Sequence, residues 1–144
     1  MRREGCIKWK EIPGLTKLLI FILLTSGFAA AAEPDQILGT WLAAGESKIE
    51  ITKCGDAYCG AIVWMKTPRN DEHNEDASKR GRPLVGTQIA RGLKFDGSSW
   101  NGKLYGPERG KTVDAKMTLE RDDQLEVRAS AGVAHKTVLW TRAN

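Results

Sequence analysis

The sequence predicts an all-β domain, a small antiparallel up-and-down barrel of eight strands, and three observations predict it. Short stretches rich in Val, Ile, Thr and Trp recur along the chain, with Gly, Asp and Asn at the breaks between them. In the clearest of these stretches apolar and polar residues alternate, the period of a strand with one buried face. No convincing long helix interrupts them, and the strands mostly follow one another closely, without the long crossings of a Greek key, which favours a barrel over the alternative, a sandwich. A meander of this kind has exposed edges, and closing it into a barrel removes them.

Taken in order, the chain opens with Arg2, Arg3, Lys8, Lys10 and Lys17, then an apolar run from Leu18 to Leu24 and the small residues Ala29 to Ala32. A basic lead, an apolar run too short to span a bilayer and an Ala-rich site are the parts of a cleaved secretory signal. The expected cut assigns residues 1–32 to the signal and residues 33–144 to a single barrel domain, with no stable membrane insertion after cleavage. Cys6 leaves with the signal, and no cysteine stands at the cut to carry a lipid. Removing those 32 residues from the 144 leaves 112, enough for one core. In that remainder 17 basic residues stand against 16 acidic ones, so the net charge falls from +4 to +1. The basic balance belongs to the signal, and no basic stripe interleaved with aromatics is left to read nucleic acid.

Gln36-Ile37-Leu38 forms one helical turn before Gly39-Thr40-Trp41-Leu42 enters the first strand. Residues 48–65 supply the second and third strands, with Ile49, Ile51 and Thr52 before the turn Gly55-Asp56-Ala57-Tyr58 and Ile62, Val63 and Trp64 after it. Cys54 and Cys59 flank that turn, where facing residues of a hairpin lie about 5.5 Å apart, within disulfide reach. Two cysteines in an exported chain also suit a bridge. A long polar loop runs from Thr67 to Arg82. Thr87 to Phe95 is the fourth strand, with a bend at Gly92, and Asp96-Gly97 is the turn after it. Trp100 to Tyr105 is the fifth strand, closed by the punctuated turn Gly106-Pro107-Glu108-Arg109-Gly110. From Lys111 to Glu120, Val113, Ala115, Met117 and Leu119 share one face. Leu125, Val127 and Ala129 do the same in the seventh strand, and Val138, Trp140 and Arg142 in the eighth.

Gly39-Thr40-Trp41, Cys54-Gly55-Asp56, Cys59-Gly60, Ile62-Val63-Trp64, Arg82-Pro83-Leu84 with Gly86, Gly110-Lys111 and the closing Trp140-Thr141-Arg142 form a specific combination. Together they make the chain resemble the domain-of-unknown-function family 2147, secreted bacterial proteins mostly of Gram-negative species. The resemblance implies a periplasmic domain with a calycin-like barrel and no established activity. The chain departs from that pattern at Val113, where an aromatic is expected after Gly-Lys-Thr, and in the loop from Asp71 to Lys79. A wider resemblance is to lipocalin-like barrels, which begin with Gly-x-Trp and carry a late Arg packed across that Trp to close one end. Gly39, Trp41 and Arg142 stand at matching places, with Trp140 as a second partner for the guanidinium. An arginine over an indole face contributes about 0.5 to 2 kcal/mol, so the expected role of these residues is structural.

For chemistry the chain offers two histidines, His73 in the acidic loop and His135 before the last strand, with no Ser or Cys motif beside either. The expectation is a protein that is not an enzyme and carries no cofactor. Asp71, Glu72, His73, Glu75 and Asp76 lack the Gly-punctuated spacing of a calcium loop, and the Cys-x4-Cys pair has no second ligand pair for zinc. Arg80 and Arg82 either hold an anionic head group at the barrel mouth or pair with the acidic loop before them. Trp64, Trp100 and Tyr105 either line a pocket or belong to the core. The functional expectation is a monomeric or weakly associated periplasmic or secreted barrel that binds a small apolar or amphipathic molecule. Its competitor is an interaction module with a filled core that docks an envelope protein.

Overall fold

The computed structural model describes residues 30–144, so most of the segment expected to be a signal, residues 1–32, lies outside the described residues, Cys6 included. Eight strands run β1 Gly39–Ala43, β2 Ser47–Cys54, β3 Ala57–Met65, β4 Gln88–Phe95, β5 Trp100–Gly106, β6 Lys111–Arg121, β7 Gln124–Ala131 and β8 Ala134–Arg142. Each pairs antiparallel with the next, and β8 returns to β1, closing the barrel in chain order. The predicted eight-strand meander is the observed fold. The predicted bend in β4 is a bulge: Gly92 has φ +57° and the register with β5 shifts between Arg91 and Lys94. The helical turn is a 3₁₀ turn over Pro34–Ile37, and Cys54 and Cys59 are bridged across the β2–β3 turn with their Cα atoms 5.8 Å apart.

The barrel has two dissimilar ends. One end collects the 3₁₀ turn and the β2–β3, β4–β5 and β6–β7 turns, and it is shut. Ile37 is fully buried there among Trp41, Trp100 and Leu125. The indole N–H groups of Trp41 and Trp100 donate to the carbonyls of Ile37 and Pro34 at 2.8 and 2.9 Å, which satisfies polar atoms that burial would otherwise penalise. Arg142 finishes the closure. Its guanidinium lies 4.1 Å from the centre of the Trp41 ring and donates to the carbonyls of Leu38, Gln36 and Asp122, each at 2.9 Å. Gly39 is required beneath it: with φ +116°, a side chain there would be strained and would meet the Arg142 Nη1 at 3.0 Å. Asp35 ties the turn to the hairpin through the Tyr58 hydroxyl, 2.6 Å away, and Lys53, 2.8 Å away. That bond to a carboxylate pushes the Tyr58 phenol up to about 12.

Candidate functional site

The other end is the mouth, and its walls differ from those of the shut end. Alternation along each strand puts Trp41, Ile51, Tyr58, Trp100, Met117, Leu125 and Trp140 inward near the shut end, all buried. One or two steps along the same inward faces toward the mouth stand Ala43, Ser47, Val113, Ala129 and Val138. These are smaller, and they are half-buried rather than buried. The last inward position of β8 before the tip is Lys136, which is exposed. On the β1, β2 and β6–β8 side the inward residues nearest the mouth are thus small and half-buried, with Lys136 beyond them.

The opposite side of the mouth is covered by residues 66–87. This segment is long and polar, as predicted, but it is pinned. Asn70 and Pro83 form a bridge that makes it a narrow flap, and Leu84 drops fully buried into the core. Asp71, with no exposed surface, is the hub. It accepts from the Tyr105 hydroxyl, from Asn74 Nδ2 at 2.7 Å and from Arg82 Nε and Nη2 at 3.0 and 2.8 Å. Burial opposes its charge, yet the hydrogen bonds from Tyr105, Asn74 and Arg82 and the Arg82 charge prevail, holding the carboxyl below the usual aspartate range. Burial, then the bond to Asp71, pushes the Tyr105 phenol up to about 12. The flap lies so close to the β5–β6 turn that a Cβ on Gly110, itself at φ +66°, would come within 1.7 Å of the His73 carbonyl oxygen.

The five residues singled out as ligand candidates do not meet in one place. Arg82 and Tyr105 are brought together, with the guanidinium carbon 6.0 Å from the ring centre, but both serve the Asp71 hub. Arg80 donates from Nε to the Asn74 carbonyl at 2.8 Å, inside the flap. Of the two roles open to these arginines, the structure places Arg82 against an acidic side chain and Arg80 on the loop backbone. Trp100 is fully buried at the shut end. Trp64 is 43 % exposed on the outer wall, with Lys48 Nζ 5.7 Å above its ring. Sequence reasoning missed the hub because Asp71 and Tyr105 are 34 residues apart. The apolar pair Leu84-Val85 after Arg82-Pro83, and the acidic residues within reach of Arg82, were the local signs that the loop is anchored. His73 and His135 are both exposed. Among the described residues no group of three His, Cys, Asp or Glu side chains is placed to hold a metal ion, and no helix is long and apolar enough to cross a membrane.

The fold is similar to that of the solved structure of protein HP1028 from the human pathogen Helicobacter pylori, which is described as belonging to the lipocalin family. The TM-score is 0.68, with 20 % sequence identity over 80 % of this chain and 85 % of that one, a likeness of fold. No curated protein matches. The family resemblance carried by Gly39-Thr40-Trp41, the cysteine pair and Trp140-Thr141-Arg142 holds along the barrel: residues 39–142 match the model of the family described as an uncharacterized protein conserved in bacteria, DUF2147, and the chain belongs to that family.

Proposed function

We propose that this protein is an exported, periplasmic or secreted barrel that binds one small apolar or amphipathic molecule at its mouth and catalyses no reaction. The observation that carries the reading is the contrast along the inward faces. Large side chains fill the shut end, whereas Ala43, Ser47, Ala129 and Val138 leave the mouth half-buried. Half-buried apolar walls beside a pinned flap gain from covering, at roughly 25 cal/mol for each Å² of apolar surface removed from water. Arg82 and Tyr105 contribute by holding the flap, and Lys136 on the rim suits the polar end of an amphipathic ligand.

Native mass spectrometry of protein purified from a bacterial periplasm, compared with the denatured sample, tests this. The expected result is a mass excess that vanishes on denaturation, and displaceable binding of the dye anilinonaphthalene sulfonate. Ala129→Trp, which fills the mouth, is expected to abolish both. Bare protein that also ignores the dye overturns the reading.

One observation favours a second reading, a protein-binding module. β8 meets β1 only from Ala43↔Trp140 to Trp41↔Arg142, so residues 134–139 present an edge without a partner strand among the described residues. Val133 and Leu139 are exposed beside it. A strand of another envelope protein would add there.

A further inference from the structure

A second concavity lies on the outer wall, away from the mouth. It is an open hollow of about 580 Å³ whose outward-facing rim includes Arg91, Lys103, Lys116 and Ser130. The β4 bulge makes it. Arg91 pairs with Lys103 and Lys94 with Asn101, leaving Gly92 and Leu93 opposite Gly102. A Cβ on Gly102 would meet the carbonyl oxygens of Arg91 and Gly92 at 2.6 and 2.8 Å. Gly102 lies on the inward-facing register with buried Ala115. The β4 backbone therefore dips toward the barrel axis and indents the wall outside.

The charges around this hollow are segregated. Register puts Asn101, Lys116 and Arg128 side by side in one outward row, and Arg91, Lys103, Asp114 and Ser130 in the next. Asp114 is the only carboxylate in either row, and it is paired with Lys103. Arg91, Lys116 and Arg128 are exposed, with no ion-pair partner among the described residues. Lys116 and Arg128 face each other directly across β6 and β7, an arrangement that repels and lowers stability. The hollow has no aromatic side chain on its rim, so it lacks the stacking surface a nucleic acid strand uses.

We propose that the hollow is a binding site for a phosphoryl group, carried by a small soluble molecule or by a lipid head group. Arg91 and Lys116 line the hollow and Arg128 flanks it beside Lys116 on β7; a guanidinium offers paired N–H donors to phosphate oxygens, and Lys116 supplies a point charge. A bound dianion turns the Lys116–Arg128 repulsion into shared attraction, and the concave wall concentrates the field.

The test is a titration of the isotope-labelled protein, followed by amide chemical shifts. Inorganic pyrophosphate is expected to give saturable shifts at Gly92, Gly102, Lys103 and Ser130, weakened by added salt. The triple variant Arg91→Ser, Lys116→Ser, Arg128→Ser is expected to weaken them by about tenfold or more. Sedimentation with phosphatidylcholine vesicles, with and without phosphatidylglycerol, separates the two sources. Saturation by pyrophosphate without vesicle binding points to a soluble ligand, and retention by the anionic vesicles points to a head group. Failure of both, or binding that survives the triple variant, overturns the proposal. Lys116→Gln alone is expected to weaken binding while leaving the urea midpoint equal or higher. A lowered midpoint would assign Lys116 a structural role instead.

Discussion

Asp71 shows how one buried carboxylate organises a loop. Its oxygens accept from Tyr105, Asn74 and Arg82, so the flap is held by charge-assisted bonds rather than by apolar burial alone. Asp71→Asn keeps the shape and removes the charge, and is expected to cost about 2 kcal/mol in urea unfolding. The pH dependence follows in sign. The folded carboxyl titrates below the ordinary 3.8, so the unfolded chain binds the proton more readily between those values. Its stabilisation is whole above about pH 4 and drains away as the pH falls below it, a loss that Asp71→Asn is expected not to show. Tyr105 gives the mirror case. Its folded phenol titrates near 12 rather than 10, so its contribution is complete below pH 10 and is lost as the pH rises toward 12, and Tyr105→Phe is expected to flatten that alkaline limb. Gly110→Ala forces a side chain into the His73 carbonyl. It is expected to free the flap, measured as rapid tryptic cleavage after Lys79 or Arg80.

At the scale of elements, legibility divided by the range of the interactions. The β2–β3 hairpin was readable because Ile49, Ile51, Cys54, Cys59 and Ile62 are close in the chain, and β6 was readable because Val113, Ala115 and Met117 keep strict alternation. Arg142 over Trp41 was readable only through family resemblance, since nothing local joins residues a hundred apart. Of the Asp71 hub only the pairing of Arg82 with the acidic loop was readable, and the hollow beside Gly102 was not readable at all. One depends on a partner in another strand, the other on a bulge whose consequence is seen only when three strands lie side by side. Reducing the hairpin staple, or replacing it with Cys54→Ser and Cys59→Ser, is expected to cost about 2 kcal/mol in thermal or urea unfolding, the entropy of a short closed loop.

Across the whole molecule, the barrel is shut where both ends of the domain meet and shallow where the flap lies. Arg142→Ala removes three bonds to carbonyls and the stacking on Trp41. It is expected to cost about 2 kcal/mol or more. Arg142→Lys is expected to recover less than half, because an ammonium cannot span the Leu38 and Gln36 carbonyls as the planar fork does.

That clamp also fixes an order in time. Each hairpin closes between neighbours, but Arg142 reaches Gln36 across 106 residues, a closure whose entropy is large for an open chain and small once seven hairpin connections have shortened the path. The ring is therefore expected to zip strand by strand and to lock last at the plug. In stopped-flow experiments Arg142→Ala is expected to speed unfolding while leaving the refolding rate nearly unchanged, whereas Ile51→Val in the stapled hairpin is expected to slow refolding. What locks last is first to release, so unfolding is expected to begin at the plugged end of the barrel.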